Sequence, residues 1–303
     1  MTHRQTSTLL IANPAAGRGR ALRMLPHVRA ALASHDGTHV QLTERPGDER
    51  RLAEEATHAG VDTIIALGGD GTWGNVARGI LAGGGGARLA LLAAGTGNDL
   101  AFASGIPDSD VRAALDIALG KRERRIDVGS ADGVHFVNCV GFGFDAEVVR
   151  RLGEVRWARG HAVYVVTAVR QLLTYRGLDV RLRKNGDAAS SPRQNHLMVV
   201  ISNGARFGGG FMIAPSARND DGVLDLVCVS DAPVWRRATL LASAMSGRHV
   251  GSPEVSMSRI TTLTLDFDEA PVFEADGELH HASSSSVTVR CLPGALRLAV
   301  GER

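Results

Sequence analysis

Hydrophobic positions fall into two regimes along the chain. Up to about residue 125, short apolar runs alternate with stretches of helical spacing. Ser7–Asn13 (STLLIAN) is an apolar run closed by Asn-Pro and predicts a buried strand. Gly17–Ser34 carries apolar residues at helical spacing, with Pro26 expected to kink the helix. Thr38–Thr43 predicts a second strand, and Gly47–Gly60 a helix with Asp48 near its start. Val61–Gly69 carries a continuous rather than alternating apolar run, Ile64–Leu67, as expected of a strand in a parallel sheet covered on both faces. A helix over Thr72–Gly83 and a strand over Ala87–Gly95 continue the alternation. This βαβ pattern predicts an open, doubly wound parallel sheet.

Beyond that point the period shortens. Arg124–Gly143 reads as two strands around the turn Ala-Asp-Gly. The segments 178–187, 196–204, 222–230, 260–267, 286–290 and 295–300 are further short strands. Helices are expected only near Val155–Tyr175 and Val234–Ser246. The pattern predicts an antiparallel sandwich or barrel. The boundary is placed near Arg125, giving domains 1–125 and 126–303, with the last strand able to return to the first domain.

Composition narrows the class. With 303 residues, 44% hydrophobic and 22% charged, the chain is long enough for two globular domains. A net charge of +2 gives no polyanion-binding character, so no nucleic-acid partner is expected. Lys121 and Lys184 are the only lysines, which leaves arginine, main-chain amides or a metal for any phosphate chemistry. Cys139, Cys228 and Cys291 are scattered and odd in number, against a disulfide framework or zinc site. No apolar run reaches about 18 residues, and Met1–Pro14 lacks the apolar core of a signal peptide. A cytoplasmic protein follows as the expectation; oligomeric state is left open.

Three glycine-rich turns each follow a strand: Asn-Pro-Ala-Ala-Gly (13–17), Gly-Gly-Asp-Gly-Thr (68–72) and Ala-Ala-Gly-Thr-Gly-Asn-Asp (93–99). Such turns leave amides bare of side chains, and a helix start behind them favours an anion. They predict a cradle for a nucleotide polyphosphate. The plainer reading makes them ordinary turns, with Asp70 and Asp99 as helix caps. Neither the P-loop nor the dinucleotide fingerprint spacing is present.

Those three motifs resemble the diacylglycerol kinase catalytic-domain family, which includes sphingosine, ceramide and bacterial soluble lipid kinases. Ile201–Val229 and the motif Glu-Ala-Asp-Gly-Glu-Leu (274–279) are similar to that family's later signatures. The resemblance implies a Rossmann-like first domain, a β-sandwich second domain, and an active site in a cleft between them. It implies ATP contacts at Asn13, Thr43, Gly68, Gly69, Asp70, Gly71, Thr72, Gly95, Thr96 and Asn98. Asp70 would support the phosphate side through magnesium or water. The acidic motif would supply the proton acceptor, with Glu278 favoured and Asp276 second; the plainer reading is an Asp-Gly hairpin. Asp221 would bind a structural Mg²⁺ with the carbonyls of Arg218 and Val223. The expected reaction is ATP-dependent phosphorylation of a lipid hydroxyl, diacylglycerol first, a sphingoid base or another glycerolipid otherwise. An NAD kinase shares Gly-Gly-Asp-Gly-Thr but continues differently from Trp73, Gly74 and Asn75. A non-catalytic lipid- or nucleotide-binding protein of the same fold is the third reading.

Val148–Gly177 is rich in arginine and aliphatic residues, with Trp157, Tyr164 and Tyr175. It is read as a basic helix for transient contact with the inner membrane face or for guiding an acyl chain, or else as a helix packed on the sandwich. Gly204–Pro215 is read as a flexible apolar lip. His196, His280 and His281 lack metal-ligand spacing.

Overall fold

The computed structural model describes residues 7–35, 37–151, 161–186 and 192–301. The chain divides into two units, Met1–Ile126 with Gly294–Arg303, and Asp127–Pro293.

The first unit follows the alternating pattern. Its elements are β1 (Thr8–Ala12), α1 (Ala16–Leu32), β2 (Thr38–Leu42), α2 (Asp48–His58), β3 (Thr63–Gly68), α3 (Asp70–Ala82), β4 (Arg88–Ala93), α4 (Asp99–Ser104) and α5 (Val111–Leu119). The sheet order is β2-β1-β3-β4, all parallel. The end of the last strand, β15 (Ser286–Ala299), adds beside β4 through Arg297 and Leu298. Every residue of β3 and β4 is buried, because helices cover both faces. The chain leaves β1 toward β2 and then returns past β1 to β3. Right-handed crossovers therefore place α1 on one face and α2 on the other. The order reverses between β1 and β3, and there their outgoing loops diverge and leave a crevice.

In α1 the backbone departs from helical geometry at Gly17, Arg18 and Gly19, all with positive φ, and not at Pro26. The expected proline kink is thus replaced by a break in the Gly-Arg-Gly run, where left-handed conformations are least unfavourable.

The second unit is antiparallel. Its strands are β5 (Glu123–Ala131, starting in the first unit), β6 (Val134–Phe136), β7 (Cys139–Gly143), β8 (Leu178–Lys184), β9 (Gln194–Ser202), β10 (Leu224–Ser230), β11 (Val255–Ile260), β12 (Thr262–Asp266), β13 (Val272–Ala275) and β14 (Glu278–His281). One layer runs β14-β13-β7-β9-β10-β11; the other joins β8, β12, β15, β5 and β6. β8 belongs to both, pairing with β9 through Leu178–Val180 and with β12 through Arg181–Lys184. Between the layers lie Phe142, Phe273, Leu263 and Val289, with Phe142 stacked on Phe267 and Phe273 at 5.6 and 5.5 Å. The outer face of the first layer is covered by α6 (Phe144–Arg151), α7 (His161–Thr174) and α8 (Val234–Ala244) around Val200, Val227 and Leu240.

Arg124–Gly143 holds three strands where two are expected, because the chain turns at Val137–Asn138 to change layer. Helix α6 directly follows β7 and is not legible as a separate element in the sequence. Of the helix expected over Val155–Tyr175, the part before residue 161, including Trp157, lies outside the described residues.

Candidate active site

In a parallel sheet every strand ends at the same edge, so the turns after β1, β2, β3 and β4 come together there. Asn13, Thr43, Gly69 and Ala94 each follow the last residue of a strand. Main-chain bonds lace them: Asn13 N–H donates to Leu67 O, Thr43 N–H to Ala12 O, and the Ala94 and Gly95 amides to Gly68 O. A Cβ on Gly95 would lie 2.6 Å from Gly69 Cα, and one on Gly17 would overlap the Ala94 carbonyl. The glycines here let three turns touch one another. Gly71 differs, since a Cβ there would meet nothing within 4 Å.

Helix α3 starts at Asp70, and no side chain caps it. The amides of its first turn have no partner within the helix, and the helix dipole adds positive character at this end. That is the chemistry a phosphate oxygen requires. Thr72 is buried, Thr96 exposed, and Asn98 buried in a left-handed conformation with its Oδ1 unpaired. Asn13 Nδ2 donates to Glu49 Oε1 at 2.9 Å and to Thr72 Oγ1 at 3.3 Å. Glu49 is 4% exposed, and its Oε2 has no partner. Sequence reasoning passes over Glu49 as part of a helix start. Its buried position beside Asn13 is what marks it. Two orphaned acceptors, Asn98 Oδ1 and Glu49 Oε2, suit a sugar hydroxyl, an amino group or a metal-bound water. The turns therefore fit a nucleotide in both donor and acceptor chemistry.

Asp70 does not cap its own helix. Its Oδ1 accepts from the Leu100 amide at 3.2 Å, so the carboxylate of the second turn grips the start of α4 behind the third. Burial, and then the charge of Asp99, push its pKa up to about 6, against the amides of residues 98–100.

In the second unit, Ala275 and Glu278 flank a two-residue hairpin turn in which Asp276 and Gly277 have φ of 50° and 84°. This is the geometry of a type I′ turn. Asp276, the second candidate for proton acceptor, is turned inward. Its carboxylate accepts from the amides of Val137, Asn138 and Cys139 at 2.8, 2.9 and 3.2 Å. It holds the β6–β7 turn, and its lone pairs are committed to main chain. Glu278 stands at the start of β14 and is half-buried.

Near the expected cation site, Asp221 Oδ1 accepts weakly from Val223 N–H at 3.4 Å, and Arg259 lies 3.9 Å away. Asp220 pairs with Arg218, and Asp127 accepts from the Gly222 amide. Asp225 is buried with Oδ2 unpaired; burial pushes its pKa up, Arg259 opposes this, and the charge of Asp221 adds to it. These oxygens suit a hard, partly hydrated cation. No group of three or more His, Cys, Asp or Glu among the described residues is arranged to hold a metal by itself.

A pocket inside the second unit completes the set. It holds about 50 Å³ of space and is lined by residues of α6–α8, β9 and β10 and by Phe207, Phe211 and Ile213. The last three belong to the expected lip; they are buried, and Phe207 and Phe211 bond to each other through the main chain, so this segment is wall. The lining is apolar except for Asp145, Arg237 and His249. Arg237 is engaged by Asp231 and by the carbonyls of Leu172 and Tyr175, and His249 Nε2 meets Ile213 O. The Asp145 carboxylate is buried in the pocket wall beside Glu274, and burial pushes its pKa up to about 7, against the amides of Asp145 and Ala146. Sequence reasoning missed it. A lone acid at a strand-to-helix turn gives no signal until the surrounding side chains are seen.

Comparison with known proteins agrees with these parts. The profile of the diacylglycerol kinase catalytic domain matches residues 7–131, and that of the YegS C-terminal NAD kinase beta sandwich-like domain matches 138–300. A protein of Pseudomonas aeruginosa described as "Probable lipid kinase YegS-like" is 35% identical over 89% of this chain and 88% of its own. A Mycobacterium tuberculosis protein described as "Diacylglycerol kinase" is 30% identical over 95% and 93%. A crystal structure of a putative diacylglycerol kinase from Bacillus anthracis superposes with a TM-score of 0.79 over 98% of both chains, at 22% identity, and shares the fold. The chain belongs to the diacylglycerol kinase catalytic-domain family, with a second half of the YegS C-terminal type.

Proposed function

We propose that this protein is an ATP-dependent lipid kinase that transfers the γ-phosphoryl group to a lipid hydroxyl, with diacylglycerol as first acceptor. The observation that carries the lipid half is the apolar pocket of the second unit, walled by Phe144, Leu172, Phe207, Phe211 and Leu240. A cavity so lined suits the hydrocarbon part of a chain-bearing molecule.

Bound ATP with Mg²⁺ supplies the transferred group and spreads its developing charge. The chain's own residues position and polarise. Amides of residues 70–72 at the start of α3 bind phosphate oxygens, joined by the turns carrying Asn13, Thr43, Gly68, Gly69, Gly95, Thr96 and Asn98. Asp70 fixes the third turn against the second. Glu278 accepts the proton of the acceptor hydroxyl, while Asp276 sets the shape of the turn that carries it. Asp221, with the carbonyls of Arg218 and Val223, holds a structural Mg²⁺.

One experiment tests the reading: incubate the protein with labelled ATP, Mg²⁺ and a panel of diacylglycerol, monoacylglycerol, sphingoid base, ceramide and NAD. Label in phosphatidic acid is expected. Label in NADP, or in no product, overturns it.

A further inference from the structure

Three elements of the second unit pack side by side around the apolar pocket: α7, α8 and the 3-10 turn Arg248–Gly251. Arg237 of α8 ties them by donating to the carbonyls of Leu172 and Tyr175 at the end of α7, and His249 anchors the turn to Ile213. Leu172, Leu240, Ala244 and His249 look into the pocket. On other sides of these same elements and the residue after α8, large apolar side chains face water: Val169, Leu173, Val234, Trp235, Met245 and Val250. Trp235 is 68% and Leu173 66% exposed. These six are the majority of the ten exposed large hydrophobic residues among the described residues. Scattered exposed apolar residues are ordinary, but a concentration on one helical layer is the mark of an interaction surface.

Charge identifies the partner. Neither 161–177 nor 233–253 contains an aspartate or glutamate, while together they contain Arg170, Arg176, Arg236, Arg237 and Arg248. Arg236 and Arg237 are engaged by Glu254 and Asp231, and Arg176 and Arg248 are exposed. An apolar face rimmed by arginine, whose nearest acids Asp231 and Glu254 are each paired with an arginine, complements an anionic lipid surface. Tryptophan is the residue whose ring suits the headgroup boundary. We propose that this helical layer, centred on Trp235 and Leu173, is the surface on which the protein rests on an anionic bilayer. The placement has a chemical consequence: an acyl chain leaving the bilayer would cross one layer of side chains to reach the pocket. The choice of a lipid partner rests on the lipid-kinase reading; the surface itself rests on exposure and charge.

The test uses the full chain and phosphatidylcholine vesicles with and without phosphatidylglycerol, at low and high salt. The wild-type protein should sediment with the anionic vesicles and be released by salt. The double variant Trp235→Ser/Leu173→Ser should bind at least about ten-fold more weakly, with an unchanged melting temperature, while Trp235→Phe should retain binding. Turnover of a water-soluble short-chain diacylglycerol should be unchanged in the double variant, and turnover of long-chain lipid in vesicles should fall with binding. Equal vesicle binding by wild type and double variant, or no binding by wild type, overturns the proposal. So does a wild-type dimer that the double variant converts to monomer, since the face would then join two copies. Vesicle binding is read without turnover, so a protein that binds but phosphorylates no lipid would refute the kinase reading and leave the surface standing.

Discussion

At the scale of single residues, the site is a matter of which polar atoms are spoken for. Asp70 is committed to the Leu100 amide, so its part in the proposed nucleotide site is to hold the third turn in place. Asp70→Ala should leave the second unit folded and abolish turnover, with ATP affinity falling together with it; a titration calorimeter and the label assay check this. Gly95→Ala tests the contact between turns, because its Cβ would press on Gly69 main chain, which cannot swing aside. The expected loss is about 1–3 kcal/mol of stability, read from the urea midpoint, with weaker nucleotide binding. Asp145 predicts a pH dependence. Its pKa stands at about 7 in the fold against an ordinary value of 3.8. The folded state therefore binds the extra proton between those values, and stability from this group falls as pH rises from about 4 to 7. Asp145→Asn should flatten that slope in melting temperatures taken from pH 4 to 8. Glu274, buried next to it and also pushed upward, leaves a residual slope.

At the scale of elements, the hairpin β13–β14 shows how a turn can be both ordinary and functional. Ala-Asp-Gly-Glu forms the type I′ turn that its Asp-Gly pair specifies from sequence alone. The sequence ranked Glu278 above Asp276 as proton acceptor, but the structural task of Asp276 was not legible in it. Packing separates them: Asp276 takes three amides of a segment some 138 residues earlier in the chain, and Glu278 does not. Asp276→Ala should destabilise the second unit by about 2–5 kcal/mol, because three amides lose their acceptor. Glu278→Gln should leave the denaturation curve in place and lower kcat by about 10²–10⁴ with little change in the KM for ATP. Equal stability losses in both variants would refute the separation. Elements with a clear period, such as β3, β4 and α2, sit where their apolar spacing put them. Helix α6 escaped, because Phe144–Arg151 gives only eight residues between a strand and a stretch of similar composition.

At the scale of the molecule, two architectures are joined in one chain, and the last strand links them by pairing with β12 along Ser286–Arg290 and with β4 at Arg297 and Leu298. Among the described residues no helix is long and apolar enough to cross a membrane. By itself the sequence determined the α/β first unit, the antiparallel second unit, the family and the three glycine-bearing turns behind strands. Each of these is written in local signals, in hydrophobic period, in glycine placed after strands and in motif order. Only the tertiary structure decided that Asp276 is an anchor and that Glu49 meets Asn13 beside the strand-end turns. It also decided that Asp145 is buried beside Glu274 in the wall of an apolar pocket and that Trp235 and Leu173 share an exposed layer. Those facts depend on which side chains meet across tens to hundreds of residues. Burial and hydrogen-bond satisfaction are properties of that meeting, not of any residue or its neighbours in the chain.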